Sequence, residues 1–190
     1  YSFFVHTPGL IVVLPTTPYD AKGLLNTSIR SQNPIIFIEN KRTVNIRGEV
    51  PEEYYTIPFG KADVKREGSD VTIVATQALV YDALNIADKV QKENISVEVI
   101  DPMTVKPLDK ETIIESVKKT GRLIIADEGW IYCGLASEIS AIVAEEAIDY
   151  LDAPIIRVAA PDTPCAFSLP LEDAYIPGEE EIRSALKKVI

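Results

Sequence analysis

Ser96-Val97-Glu98-Val99-Ile100, then Asp109-Lys110 through Lys119-Thr120-Gly121, then Leu123-Ile124-Ile125-Ala126 follow one another along the chain. The first and last are short apolar runs of strand length. Between them Asp109 caps a helix over Lys110 to Lys119, whose terminal lysines suit its C-terminus and whose stop is Gly121. Strand, helix and strand at this spacing imply parallel pairing, with the helix folded back on the sheet.

The same rhythm extends both ways. Ala78 to Lys92 repeats apolar residues at helical spacing, and Ala62 to Lys65 with Val71 to Ala75 flank Gly68-Ser69-Asp70, read as a hairpin. Leu135 to Ile148 reads as an apolar helix, Ile155 to Ala159 as a strand, and Glu179 to Val189 as an amphipathic helix. The expectation is an α/β, three-layer fold: a mostly parallel sheet with one antiparallel edge strand.

Ahead of it stands a second unit. Leu10 to Leu14 reads as a buried strand closed by Pro15, Thr17 caps a helix that starts at Pro18, and Ile35 to Ile38 is another strand. Such a βαβ remnant cannot cover its own apolar faces, so it must pack on something. Residues 41–58 are polar and irregular, which suggests a linker between a first unit over 1–40 and a second over 59–190.

The chain has 190 residues, 46% hydrophobic, with net charge −10. That charge disfavours nucleic acid and anionic membranes as partners. No apolar run approaches a membrane span, and no segment has the pattern of a secretory signal. A cytoplasmic protein with reduced Cys133 and Cys165 is the expectation. The only methionine is Met103 and the chain opens Tyr1-Ser2-Phe3-Phe4, which suggests the interior of a longer protein.

Pockets in parallel sheets lie beyond the carboxyl ends of the strands. Here those loops are Asp101 to Thr104, Asp127 to Trp130 and Ala160 to Pro164, and their acids are candidates for acid–base work or for simple capping. No glycine-rich phosphate loop occurs. His6, just before Pro8-Gly9, either faces a ligand or is a loop or core histidine. The end of the first long helix, Asn26 to Asn33, exposes backbone carbonyls that can ligate a cation or bind water.

His6-Thr7-Pro8-Gly9-Leu10 to Pro15, Asp20-Ala21-Lys22-Gly23-Leu24-Leu25 and Asn33-Pro34-Ile35 to Asn40 closely resemble the β subunit of thiamine-diphosphate-dependent 2-oxo acid dehydrogenases. So do Pro58 to Ala62, Gly68 to Thr72, Ile100 to Asp109 and Leu151-Asp152-Ala153-Pro154, in order along the whole chain. The resemblance implies the end of a domain that binds the thiamine pyrimidine ring, then a transketolase C-terminal-like domain. It implies decarboxylation of a 2-oxo acid, or cleavage of acetoin, with transfer of the acyl group to lipoamide.

The family's activating glutamate and active-site histidine are expected ahead of Tyr1; His6 resembles a second histidine and is not assigned to catalysis. Thiamine diphosphate and its Mg2+ would be held with an α subunit, so this chain alone is expected to be inactive. Some family members bind K+ through backbone carbonyls that correspond here to Ser28, Ile29, Ser31 and Asn33, with Ser31 in place of an acid. Docking of a basic dihydrolipoyl acyltransferase core would use Asp152 and the carboxylate of Ile190. A second β subunit completes the implied heterotetramer. Two other readings stand beside this one: a non-catalytic assembly module, and the C-terminal region of a transketolase-like enzyme. The pattern after Asp127 leans toward pyruvate or acetoin members.

Overall fold

The computed structural model describes all 190 residues. Four short apolar runs form its parallel strands: β4 (Val71–Ala75), β5 (Val97–Asp101), β7 (Leu123–Trp130) and β8 (Ile156–Ala160). Together with β3 (Asp63–Arg66) they make a five-stranded sheet of order β3-β5-β4-β7-β8. The pairs β5–β4, β4–β7 and β7–β8 are parallel, and β3 lies antiparallel on β5 as an edge.

Alternation along the strands splits the core in two. Ile73 and Ile124 face α3 (Ala78–Gln91) and α7 (Glu179–Val189), while Val74 and Ile125 face α4 (Lys110–Thr120) and α5 (Leu135–Glu146). Helices on both faces of a mostly parallel sheet give three layers. Asp109 Oδ1 accepts the Thr112 N–H at 3.3 Å, and Gly121 closes α4 at φ +70°.

The hairpin expected around Gly68 does not form. β3 and β4 lie on opposite sides of β5, and the turn between them crosses the start of that strand. A Cβ on Gly68 would stand 2.2 Å from the Glu98 nitrogen, so only glycine lets the backbones cross there. Asp70 Oδ2 accepts the Ser96 N–H at 2.7 Å and pins the crossing. Strand β4 is buried throughout and gains two parallel neighbours this way, while the charged β3 suits an edge.

The front unit begins with a short helix, α1 (Ser2–Val5), followed by β1 (Ile11–Val13), α2 (Pro18–Arg30) and β2 (Ile35–Phe37). Thr17 and Asp20 form a capping box on α2, with Pro18 in its first turn. β1 and β2 pair in parallel, and β1 also pairs antiparallel with β6 (Thr104–Lys106), a strand contributed by the second unit. The loop expected at Asp101 to Thr104 is a tight reversal: Asp101 Oδ1 accepts the Met103 N–H at 3.0 Å, and Met103 sits at φ +52°.

Residues 41–58 contain no regular element, yet much of the segment is held against α2. Lys22 donates to the carbonyls of Pro51, Glu52 and Glu53, and Asn26 Nδ2 donates to the Tyr55 carbonyl at 2.9 Å. Thr27 Oγ1 donates to the Ile57 carbonyl at 2.6 Å, and Tyr55 stacks on Tyr19 with centroids 4.5 Å apart.

Candidate functional site

The two units meet along β1 and β6, and charged side chains collect beside that seam. Lys65, on edge strand β3, directs its ammonium to Asp63 Oδ2 at 2.7 Å, Asp20 Oδ2 at 3.2 Å and Asp101 Oδ2 at 3.8 Å. Asp20 belongs to the cap of α2 and Asp101 ends β5, so one lysine joins both sheets. Burial opposes the Lys65 charge, but the three carboxylates outweigh it and hold the amine above the ordinary lysine range. Asp101 is fully buried, which pushes its carboxyl to about 7 against the pull of Lys65. Alternation of Asp63 and Lys65 in a strand signalled an edge; nothing local signalled the buried partners.

Asp127, the other acid at a strand end, is also buried. Thr76 Oγ1 donates to its Oδ1 at 3.2 Å, Oδ2 has no hydrogen-bond partner, and burial pushes it to about 6. Its neighbour Glu128 accepts from Asn40 Nδ2 at 2.7 Å and Arg42 at 2.9 Å, which ties the segment after β2 to the end of β7. Strand β4 separates Asp101 from Asp127 in the sheet. Asp101 and Asp127, two of the acids that the sequence suggested for acid–base work, thus stand in separate environments, each with its own contacts.

His6 is exposed at the end of α1, and it lines a cavity of about 550 Å³ with Lys106, Cys133 and Glu138. Lys106 is occupied there in holding the end of α1, donating to the Val5 carbonyl at 2.6 Å and the Thr7 carbonyl at 3.1 Å. Cys133 and Cys165 are free and exposed.

Ser28, Ile29, Ser31 and Asn33 follow one another around the C-terminus of α2. The Ser28 carbonyl accepts the Ser31 N–H at 3.2 Å, and Ser31 Oγ accepts the Asn33 N–H at 3.1 Å. No loop or cap N–H is directed at the carbonyls of Ile29, Ser31 or Asn33. Arg30 lies nearby, donating to the Asn26 carbonyl at 3.2 Å with its guanidinium over Tyr54.

Asp152 is exposed, and its N–H donates to the Gly121 carbonyl at 2.7 Å. Glu179 meets Asn85 and Lys89 while Arg183 meets Glu93, so α7 runs in the same direction as α3. Ile190 consequently emerges at the end of the sheet where the parallel strands begin, and Ala153 packs in the same core cluster as Val189. Asp152, just ahead of β8, lies at that same end. Large apolar side chains are exposed elsewhere, among them Phe3, Ile29, Trp130, Tyr132, Phe167 and Leu169.

Residues 60–182 match the family described as "Transketolase, C-terminal domain", and residues 1–47 match "Transketolase, pyrimidine binding domain". The chain is 48% identical over 190 residues to the acetoin:2,6-dichlorophenolindophenol oxidoreductase subunit beta of Bacillus subtilis, covering all of this chain and 56% of that protein. It is 50% identical to the pyruvate dehydrogenase E1 component subunit beta of Rickettsia felis, covering 98% of this chain and 57% of the relative. The 2-oxoisovalerate dehydrogenase subunit beta of Bacillus subtilis is 42% identical over 99% of this chain and 58% of its own length. The chain thus spans somewhat more than half of these relatives. Among solved structures, a split-gene transketolase described as an inactive beta4 tetramer superposes with TM-score 0.85 at 25% identity, over 99% of this chain and 60% of the other.

Proposed function

This chain belongs to the transketolase C-terminal domain family, and from that premise we propose that it is the C-terminal part of the β subunit of a thiamine-diphosphate-dependent 2-oxo acid or acetoin dehydrogenase. The observation that carries this is identity of 48% to 50% with such β subunits over nearly the whole chain. The two units, 1–40 and 59–190 with the strap 41–58 between them, are the end of the pyrimidine-binding domain and the transketolase C-terminal-like domain. The whole protein decarboxylates a pyruvate-like 2-oxo acid, or cleaves acetoin, and passes the acyl group to lipoamide. A likeness to a split transketolase at 25% identity favours the transketolase-like alternative less strongly.

Within that protein this chain serves assembly and docking. Its residues do not make a cofactor site alone: Asp20, the buried carboxylate of the front unit, is spent on Lys65 and on the helix cap. Glu39, the other acid of the front unit, is exposed, and with Asp20 so engaged the reading assigns thiamine diphosphate and Mg2+ to the α subunit and the rest of the β chain. The exposed apolar residues on both units suit contact with the α subunit and with a second β subunit.

The carbonyls of Ser28, Ile29, Ser31 and Asn33 fit a K+ ion, which asks only for oxygens. Asp152 and the Ile190 carboxylate, at one end of the sheet in an acidic protein, suit the basic subunit-binding domain of an acyltransferase core. Two free, exposed thiols suit a reducing, cytoplasmic setting.

The test combines the protein carrying this chain with an α subunit, thiamine diphosphate and Mg2+, and follows dye reduction with pyruvate, 2-oxoisovalerate or acetoin. Turnover that needs both subunits is expected. Tight thiamine diphosphate binding by this chain alone, measured by calorimetry, would overturn the reading.

A further inference from the structure

Beyond the carboxyl end of β8 the chain leads into α6 (Leu169–Tyr175), a seven-residue helix that buries none of its side chains. Its fastening is polar. Trp130, at the end of β7, and Tyr175 donate to the Thr163 carbonyl at 3.2 and 2.8 Å, and the indole N–H also meets the Tyr175 hydroxyl. The large apolar side chains face outward instead: Phe167 is fully exposed, and Leu169 and Leu171 are more than half exposed. Phe167 precedes the N-cap Ser168, a position whose apolar side chain usually folds onto the fourth helical residue. Here that residue is Glu172, so the ring has no seat on its own helix. Short helices without packed apolar contacts are marginal in water, and apolar groups gathered in this way mark a contact surface.

The charge around the surface is one-sided. Residues 158–182 hold Asp162, Glu172, Asp173 and Glu179 to Glu181, and no lysine, arginine or histidine. Two bases from other elements approach it: Lys89 meets Glu179, and Arg42 shares a cavity with Asp173 and Glu179. A second copy of this chain, meeting the surface across a twofold axis, would set six carboxylates against six in a chain of net charge −10. The acidic rim therefore calls for a basic partner face. The bulk of the apolar anchors calls for a permanent partner, since long-lived interfaces are the more apolar ones. The acyltransferase domain is assigned to the opposite end of the sheet, where Asp152 stands just ahead of β8.

We propose that Phe167, Leu169 and Leu171 anchor the α subunit, seating in an apolar hollow that lysine and arginine side chains surround. This rests on the β-subunit reading above and names the surface that one of its partners takes. The carboxylates steer the encounter, and the three anchors slow dissociation.

Hydroxyl-radical footprinting tests this on the whole protein carrying this chain, alone and in complex with an α subunit that supports dye reduction. Phe167, Leu169 and Leu171 are expected to label freely in the protein alone and about tenfold or more slowly in the complex. Protection already present in the protein alone would give the surface to its own remaining chain or to a second copy, and overturns the proposal. So does undiminished labelling in an active complex, or protection that appears only when an acyltransferase subunit-binding domain is added. A protein carrying both Phe167→Asp and Leu169→Asp, two exposed positions, is expected to keep the parent's circular dichroism and to bind the α subunit at least about tenfold more weakly. Equal affinity overturns the proposal. Failure to form any active complex would remove the β-subunit reading itself, and this surface with it.

Discussion

Lys65 Nζ lies 3.2 Å from Asp20 Oδ2, and through this contact an edge strand of one sheet holds the helix cap that orders the other. The lysine side chain is only 13% exposed, so the pair is not an ordinary surface ion pair. Removing the ammonium strands two buried carboxylates.

Lys65→Met is therefore expected to destabilise the protein by about 3–5 kcal/mol, the usual cost of breaking a buried ionic cluster from one side. Urea unfolding at pH 8, where the carboxylates carry full charge, measures this. A loss below about 1 kcal/mol would show that the cluster is solvated and weak.

Gly23 faces the strap so closely that a Cβ would stand 2.6 Å from Ile57 and 2.8 Å from Tyr55. Gly23→Val is expected to lift residues 51–57 from α2 and to speed tryptic cleavage at Lys41, Arg42 and Arg47 by about tenfold or more. The central strands should keep their protection, because none of their core residues touches Gly23. Unchanged cleavage would mean that the strap is held without this contact.

Asp127 offers a pH test away from the seam. Its carboxyl is raised to about 6 in the folded protein, so the native state binds more protons than the unfolded chain between the ordinary carboxylate range and about pH 6. Stability attributable to this group therefore falls as pH rises through that window and levels off above it. Asp127→Asn is expected to flatten this part of the stability profile, as followed by thermal melting from pH 4.5 to 7.5. An unaltered slope would place the titration on another residue.

Docking of a basic partner can be tested at the end of the sheet shared by Asp152 and Ile190. Asp152→Arg is expected to weaken binding of an acyltransferase subunit-binding domain by about 10- to 100-fold, the range for one lost charge-assisted contact. Gly121→Ala should weaken it too, because the added methyl would lie 2.5 Å from Asp152 Oδ2 and displace that carboxylate. Calorimetry at two salt concentrations reads both effects, with circular dichroism to check the fold. Full affinity in both variants would move the docking surface elsewhere.

Replacing K+ by choline at constant ionic strength is expected to lower the melting temperature through loss of a ligand that binds only the folded end of α2. Tl+ in crystals should give an anomalous peak among the carbonyls of Ser28, Ile29, Ser31 and Asn33. Arg30, already resting on the Asn26 carbonyl, is the competing cation, and a featureless map would mean that it alone answers the helix terminus.

Much of the architecture can be read from residues close together in the chain. Thr17 with Asp20, Asp109 with Thr112, and Gly121 mark helix ends through contacts within four residues, and the two-residue alternation of Ile73/Val74 and Ile124/Ile125 marks strands covered on both faces. The identity of each strand's neighbour is another matter. The hairpin expected at Gly68 is a crossing over β5, because the pattern of β4 says that it is buried but not which strands bury it.

The same division runs through the candidate site. Asp101 and Asp127 stand at strand ends where the chain itself advertised acids, yet their roles follow from groups far away: Thr16 and Lys65 for one, Thr76 for the other. The strap is irregular by composition but held by Lys22, which reaches carbonyls about thirty residues distant. Local pattern alone determines where helices and strands begin, which faces are apolar, and the family resemblance, since these depend on short-range sterics and on residue order. Only tertiary structure decides which buried charges meet, because that depends on desolvation and distance between segments that the chain keeps apart.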